Sequence, residues 1–149
     1  MCKKRKPLLI IFEGVDKTGK STLLGEFNKA TKFSYVVLDR FTLSSKVYNK
    51  MYGRDRFEFY DNLEREVFKN VNVLTVLCTC KTEIIKERLE KFKEELPTQL
   101  MDIDKVKDEF YNQLRFGDNY KNYLIIDTSE DDISLSVNRI IEIVNALES

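Results

Sequence analysis

The residues best placed to do chemistry form one short run, Gly14-Val15-Asp16-Lys17-Thr18-Gly19-Lys20-Ser21. It fits G-x-x-x-x-G-K-[ST] at each fixed position. Gly14 and Gly19 permit the backbone conformations that turn successive N–H groups inward, toward phosphate oxygens. A helix starting behind them adds its N-terminal donors to the same cradle. Lys20 then places a point charge on β- and γ-phosphates, and Ser21 offers a hydroxyl to Mg²⁺. The plain alternative, an ordinary strand–helix turn, does not need the adjacent Lys-Ser pair.

A second pair is Asp39-Arg40. Asp39 ends the apolar run Tyr35-Val36-Val37-Leu38. It therefore falls at the carboxyl end of a strand, where open parallel sheets bind ligands. A carboxylate beside the loop can hold Mg²⁺ through water, the role of a Walker-B Asp. The planar fork of Arg40 suits a second phosphate. The plain alternative is that the pair merely ends a strand.

These groups need elements to hold them. Leu8-Leu9-Ile10-Ile11-Phe12 is a continuous apolar run, the mark of a strand buried on both faces. Leu23, Leu24, Phe27 and Ala30 follow at helical spacing. After the second strand comes a polar stretch, then a helix with Phe57, Tyr60, Leu63 and Val67. Val73 to Cys78 is a third strand. Thr82 suits the cap of a helix through Ile85, Leu89 and Phe92, and Asp102 opens another with Val106, Phe110 and Leu114. Tyr123 to Asp127 is a fourth strand. Ser129, with Asp132 three later, resembles a capping box for a last helix carrying Ile133, Val137, Ile140, Ile141, Val144 and Leu147. Strands alternating with helices predict right-handed βαβ units and a parallel sheet covered on both faces.

Composition narrows the chemistry. The 149 residues suit one domain, 1–149, with a self-sufficient core. There is no His, which removes Ser-His-Asp and Cys-His catalysis and His-containing zinc sites. Lys plus Arg and Asp plus Glu are 25 each, so no overall basic footprint points to nucleic acid, although a local patch could still bind it. No apolar run approaches the ~20 residues of a membrane span. The basic start, Lys3-Lys4-Arg5-Lys6, reads as a solvated lead-in to the first strand. The apolar stretch behind it is too short for a signal peptide, so a soluble, cytoplasmic protein is expected. Cys78 and Cys80 would point the same way on a strand, as buried, idle thiols.

At this point a family comes into view. Phe12-Glu13-Gly14-Val15-Asp16, with Gly19-Lys20-Ser21-Thr22, resembles the opening of thymidylate kinases. Asp39-Arg40-Phe41, Ser44-Ser45 and Tyr48 resemble their Asp-Arg-aromatic motif and the Ser and Tyr after it. Leu74 to Arg88 resembles the strand and helix leading to the lid, and Ile125 to Ser129 the segment near adenine. The match is discontinuous but spans most of the chain.

The resemblance implies an α/β, three-layer P-loop kinase fold with a reduced parallel sheet of about four strands, in order 2-1-3-4. It implies phosphoryl transfer from ATP–Mg²⁺ to a (deoxy)nucleoside monophosphate, dTMP among the candidates. Gly14, Val15, Asp16, Lys17, Thr18, Gly19, Lys20, Ser21 and Thr22 would bind the nucleotide. Ser21 and Asp39 would serve the metal. Arg40 would hold the acceptor phosphate, with Asp16 near the acceptor sugar. Lys17 lies where some members carry an Arg that reaches the transferring phosphate. Arg88 falls on the first basic position of a lid within Glu87–Leu100, supplemented by Lys91 and Lys93.

One departure is large. Lys20 and Asp39 are only 19 positions apart. The family's intervening strand and helices, which read the base, have no room here. Thymine specificity and the usual dimer packing do not carry over, and a homodimer stays open. Tyr48, Tyr52, Arg54, Arg56, Phe57, Phe59 and Tyr60 offer faces and forks for a base, with mostly core as the plainer reading. Two other functions stay open. One is a kinase with a hydroxyl acceptor, a deoxynucleoside or a polynucleotide 5′ end, using Asp39 or Asp16 as base. The other is a nucleotide-binding paralogue without transfer.

Overall fold

Burial on both faces makes the first apolar run the central strand of the sheet. In the computed structural model, β1 (Leu8–Glu13) is flanked by β2 (Val36–Asp39) and β3 (Asn72–Thr79), and β4 (Tyr123–Asp127) lies outside β3. The structure describes residues 5–15, 17–91, 102–130 and 132–149. All pairings are parallel, in order β2-β1-β3-β4, as the resemblance implies. Phe12 pairs in register with Asp39, so Asp39 stands level with the end of β1, where the loop begins.

Helices cover both faces. They are α1 (Lys20–Ala30), α2 (Thr42–Met51), α3 (Phe57–Phe68), α4 (Thr82–Lys91), α5 (Ile103–Phe116) and α6 (Ile133–Glu148). On one side, Phe12, Val76 and Cys78 pack with Leu23 and Phe27 of α1 and Val137 and Ile140 of α6. On the other, Val15 and Leu77 pack with Val47 of α2, Ile85 and Leu89 of α4, and Val106 and Phe110 of α5. The alternating side chains of β3 feed both layers. Among the described residues no helix is long and apolar enough to cross a membrane.

Four local expectations change. The polar stretch after Arg40 is helix α2. Its apolar positions Leu43, Val47 and Met51 are interleaved with Thr42, Ser44, Lys46 and Asn49, polar side chains that are buried too, so the apolar stripe is diluted in the sequence. Cys78 and Cys80 lie in opposite layers, because the strand and its period of two stop at Thr79. Both thiols are buried, as expected. The last helix is capped by Asp132, which accepts from the Leu135 N–H at 3.0 Å. Ser129 instead accepts from the Lys81 N–H at 2.9 Å. Thr82 opens α4 but donates its hydroxyl to Asp104 of α5 rather than capping. Asp102 does stand at the start of α5, with its carboxylate 3.0 Å from Lys105. Phe92, Lys93 and the rest of the lid segment beyond Lys91 fall outside the described residues.

Candidate active site

The site begins where β1 runs out. Gly14 has φ +141, and a Cβ there would lie 2.3 Å from the carbonyl oxygen of Cys78. Only glycine lets the loop pass so close to β3. Gly19, at φ 81, stands at the start of α1, and Lys17 is also left-handed at φ 64. The loop is held by its neighbours. Thr18 Oγ1 donates to the Val15 carbonyl at 2.9 Å. Thr128, beyond β4, donates to the Thr18 carbonyl. Arg88, on the last turn of α4, donates to the Lys17 carbonyl at 2.8 Å. These bonds take up the carbonyls of Val15, Lys17 and Thr18.

Around this loop opens a cleft of about 740 Å³. Val15, Lys17, Gly19, Lys20, Ser21 and Thr22 line one side; Arg88, Lys91, Thr128, Asp132, Ile133 and Ser136 line the other. Six of the predicted loop residues and Arg88 therefore come together, while Gly14 and the buried Thr18 are not in the lining. Asp16 falls outside the described residues. Asp132, Ile133 and Ser136 carry no sequence signal for this role, since they read as the start of a helix.

Asp39 and Arg40 do not line that cleft; they lie beyond Lys20. The buried Lys20 ammonium donates to Asp39 Oδ1, and the Asp39 carboxylate is half exposed. Arg40 is left-handed at φ 68. Its N–H donates to the Phe12 carbonyl at 2.9 Å, which turns the chain off the sheet edge. Its guanidinium donates to Ser44 Oγ at 3.2 Å. Ser44 Oγ in turn donates to Glu13 Oε1 at 2.5 Å. Glu13 is fully buried. Burial raises its carboxyl above the usual range, against the lowering effect of bonds from Ser44 and Phe41 and the charge of Arg40.

The aromatic stretch is mostly not core, although Tyr48 packs edge-on against the buried Phe110. Phe59 is 56% exposed, and Tyr48, Tyr52, Phe57 and Tyr60 are half-buried. The rings of Tyr48 and Tyr52 stack at 5.8 Å, and the Arg54 guanidinium lies 5.1 Å over Tyr52. Beneath α2 lies a second buried polar cluster. Lys46 Nζ is 2.8 Å from Glu64 Oε1 and 3.1 Å from Asp61 Oδ1. Glu64 also accepts from Thr42, Tyr120 and Asn119.

No family profile matches the chain, and neither does any curated protein sequence. Solved structures do. The YorR protein of Bacillus subtilis, in complex with phosphorylated GDP, is similar at TM-score 0.70 and 21% identity over 94% of this chain and 97% of that one. Thymidylate kinase from Candida albicans gives TM-score 0.67 and 16% identity, covering 98% of this chain and 94% of its own. Deoxyadenosine kinase from M. mycoides, with dCMP and dCDP bound, gives 0.61 and 13%, covering 93% and 99%. Together with the parallel sheet and the loop at its carboxyl edge, these likenesses identify the fold as that of the thymidylate kinase-like P-loop kinases.

Proposed function

We propose that this protein transfers the γ-phosphoryl group of ATP to a (deoxy)nucleoside monophosphate, with dTMP among the candidate acceptors. One observation carries the reading: Lys20 of the phosphate-binding loop pairs with Asp39, whose neighbour Arg40 is anchored on Ser44, so the loop and an arginine fork meet at the same edge of the sheet. The fold likeness to nucleotide kinases supports it.

The loop amides and Lys20 bind and orient the ATP phosphates, and Arg88 and Lys17 bring further positive charge. Lys17 supplies charge without the bidentate fork of an arginine. Arg40 binds the acceptor phosphate. Ser21 and Asp39 offer a hydroxyl and a carboxylate, and among the described residues no cluster of three or more acidic, Cys or His ligands is gathered. A hydroxyl and a carboxylate are hard oxygen donors of the kind Mg²⁺ takes, one or two at a time beside substrate phosphates and water. Ser21 and Asp39 would hold Mg²⁺, which would supply charge neutralisation on the phosphates.

A monophosphate acceptor is already anionic near neutral pH, so positioning and charge carry the reaction without a strong base. Two carboxylates near the corner are engaged: Glu13 by Ser44 and Phe41, and Asp39 by Lys20. Engagement by Lys20 counts against Asp39 as the base for a hydroxyl acceptor; Asp16, the other candidate base, lies outside the described residues. The likeness to deoxyadenosine kinase is the observation that keeps a nucleoside acceptor as the second reading.

The test incubates the protein with ATP–Mg²⁺ and a panel of nucleoside monophosphates, nucleosides and 5′-hydroxyl oligonucleotides. Diphosphates are expected. Phosphorylated nucleosides without diphosphates would move the assignment to the second reading. Tight ATP binding with no product would leave a non-catalytic nucleotide binder.

A further inference from the structure

Glu13 has no part in the phosphate chemistry, yet it is a fully buried carboxylate one residue before the loop. Burying such a charge is expensive unless hydrogen bonds compensate it. Three donors do. They are the Phe41 N–H at 3.3 Å, the Ser44 N–H at 2.9 Å and the Ser44 hydroxyl at 2.5 Å. All three come from the first turn of α2, where the residue at the cap, Phe41, has no side chain able to cap. Glu13 thus caps α2 from another element, β1.

The order of donors is forced. An arginine can only donate and an ionised carboxylate can only accept, whereas a serine hydroxyl has one proton to give. With that proton on Glu13, Ser44 Oγ turns its lone pairs to Arg40, whose guanidinium donates to it at 3.2 Å. The chain of bonds runs Arg40 to Ser44 to Glu13. It ties the arginine to the same strand end that launches the phosphate-binding loop.

We propose that Glu13 is a positioning residue for the acceptor: through Ser44 it holds the Arg40 guanidinium at the carboxyl edge of the sheet, in fixed relation to the ATP loop. This rests on the reading of Arg40 as the acceptor-phosphate group. Glu64 provides an internal contrast. It is as deeply buried and also contacts α2, but through Thr42 and Lys46 rather than Ser44.

Steady-state kinetics with ATP and with the best monophosphate of the panel test the inference. Glu13→Gln and Ser44→Ala each raise the acceptor KM roughly ten- to hundredfold, the size of a lost bond to a charged group, and leave the ATP KM within about twofold. The double variant is no worse than the worse single one, since both act on one relay. Ser44→Ala keeps the Ser44 N–H bond to Glu13 and hence the cap, so it stays readable if Glu13→Gln folds poorly. Glu64→Gln lowers stability without this split between acceptor and ATP. If Ser44→Ala leaves the acceptor KM unchanged, or if both KM values rise together, the inference is overturned while the kinase reading stands. A wild-type protein that phosphorylates no monophosphate overturns both.

Discussion

Lys20, on the first turn of α1, donates its ammonium to Asp39 at the end of β2. The lysine is 7% exposed and the carboxylate 51% exposed. A buried ammonium needs a counter-charge, and Asp39 provides one before any phosphate arrives. Asp39→Asn is therefore expected to destabilise the nucleotide-free protein by about 1–2 kcal/mol, discounted for the exposed partner. In a thermal melt that is a drop of roughly 3–6 °C. Metal-free ATP should then stabilise the variant more than the wild type, because phosphate takes over the missing charge. Equal stabilisation of the two would show that Asp39 does not balance Lys20.

Lys20→Ala removes the charge itself. Loss of one preorganised group at a developing charge lowers kcat by roughly 10²–10³-fold. Arg40→Ala acts on the other substrate and should raise the acceptor KM, with the ATP KM little changed. Initial rates with each substrate varied in turn separate the two. An Arg40→Ala enzyme with wild-type acceptor kinetics would move the acceptor phosphate elsewhere.

Gly14 and Gly53 make a controlled pair. Both have positive φ, at +141 and +60. A Cβ on Gly53 meets nothing within 4 Å, whereas one on Gly14 lies 2.3 Å from backbone at Cys78. Gly53→Ala should lose only about 1–2 kcal/mol, the left-handed penalty. Gly14→Ala adds a backbone collision and should lose more than that, together with nucleotide binding. Chemical denaturation and ATP titration of both variants check this, and equal losses would contradict the close approach to β3.

How much of this was legible beforehand follows from where the information lies. The phosphate-binding loop was legible because its groups occupy one contiguous run. The sheet was legible because four apolar runs mark its strands, and burial on both faces makes those of the inner strands β1 and β3 continuous. Helix α2 was not, since Thr42, Ser44, Lys46 and Asn49 point inward and find partners only in the folded chain. Glu13 shows no role in sequence for the same reason: its donors lie 28 and 31 positions away. Period-two reasoning placed Cys78 and Cys80 on one face and failed where β3 ends.

The Lys46–Glu64 cluster tests how buried charge is tolerated. Lys46 is 1% exposed and Glu64 is fully buried. Lys46→Met leaves Glu64 with only neutral donors, and breaking such a pair costs about 3–5 kcal/mol. Lys46→Met with Glu64→Gln removes both charges. The amide can still accept from Tyr120 and Thr42, so the double variant should be more stable than Lys46→Met alone. Urea denaturation of the wild type, Lys46→Met, Glu64→Gln and the double variant decides; additive losses would mean that the two charges do not interact.

The pH dependence of stability carries a signature of Glu13. Its carboxyl is raised above 4.5, chiefly by burial. Around and above that value the folded chain holds more of the proton than the unfolded chain does, so folding is linked to proton uptake. The contribution of this group is fully present below 4.5 and is lost as pH rises through the folded value. Asp127 works in the opposite sense. Burial pushes its carboxyl up, but bonds from Ser129 and the charges of Lys81 and Lys107 more than offset that and bring it below 3.8. Asp127 is ionised in both states above pH 4.5 and adds no slope there. Thermal melts from pH 4.5 to 7 should therefore show wild-type stability falling with pH relative to Glu13→Gln, which has no carboxyl to titrate. Curves that run parallel over that range would mean that Glu13 titrates alike in the folded and unfolded chains, its three donors and Arg40 fully offsetting its burial.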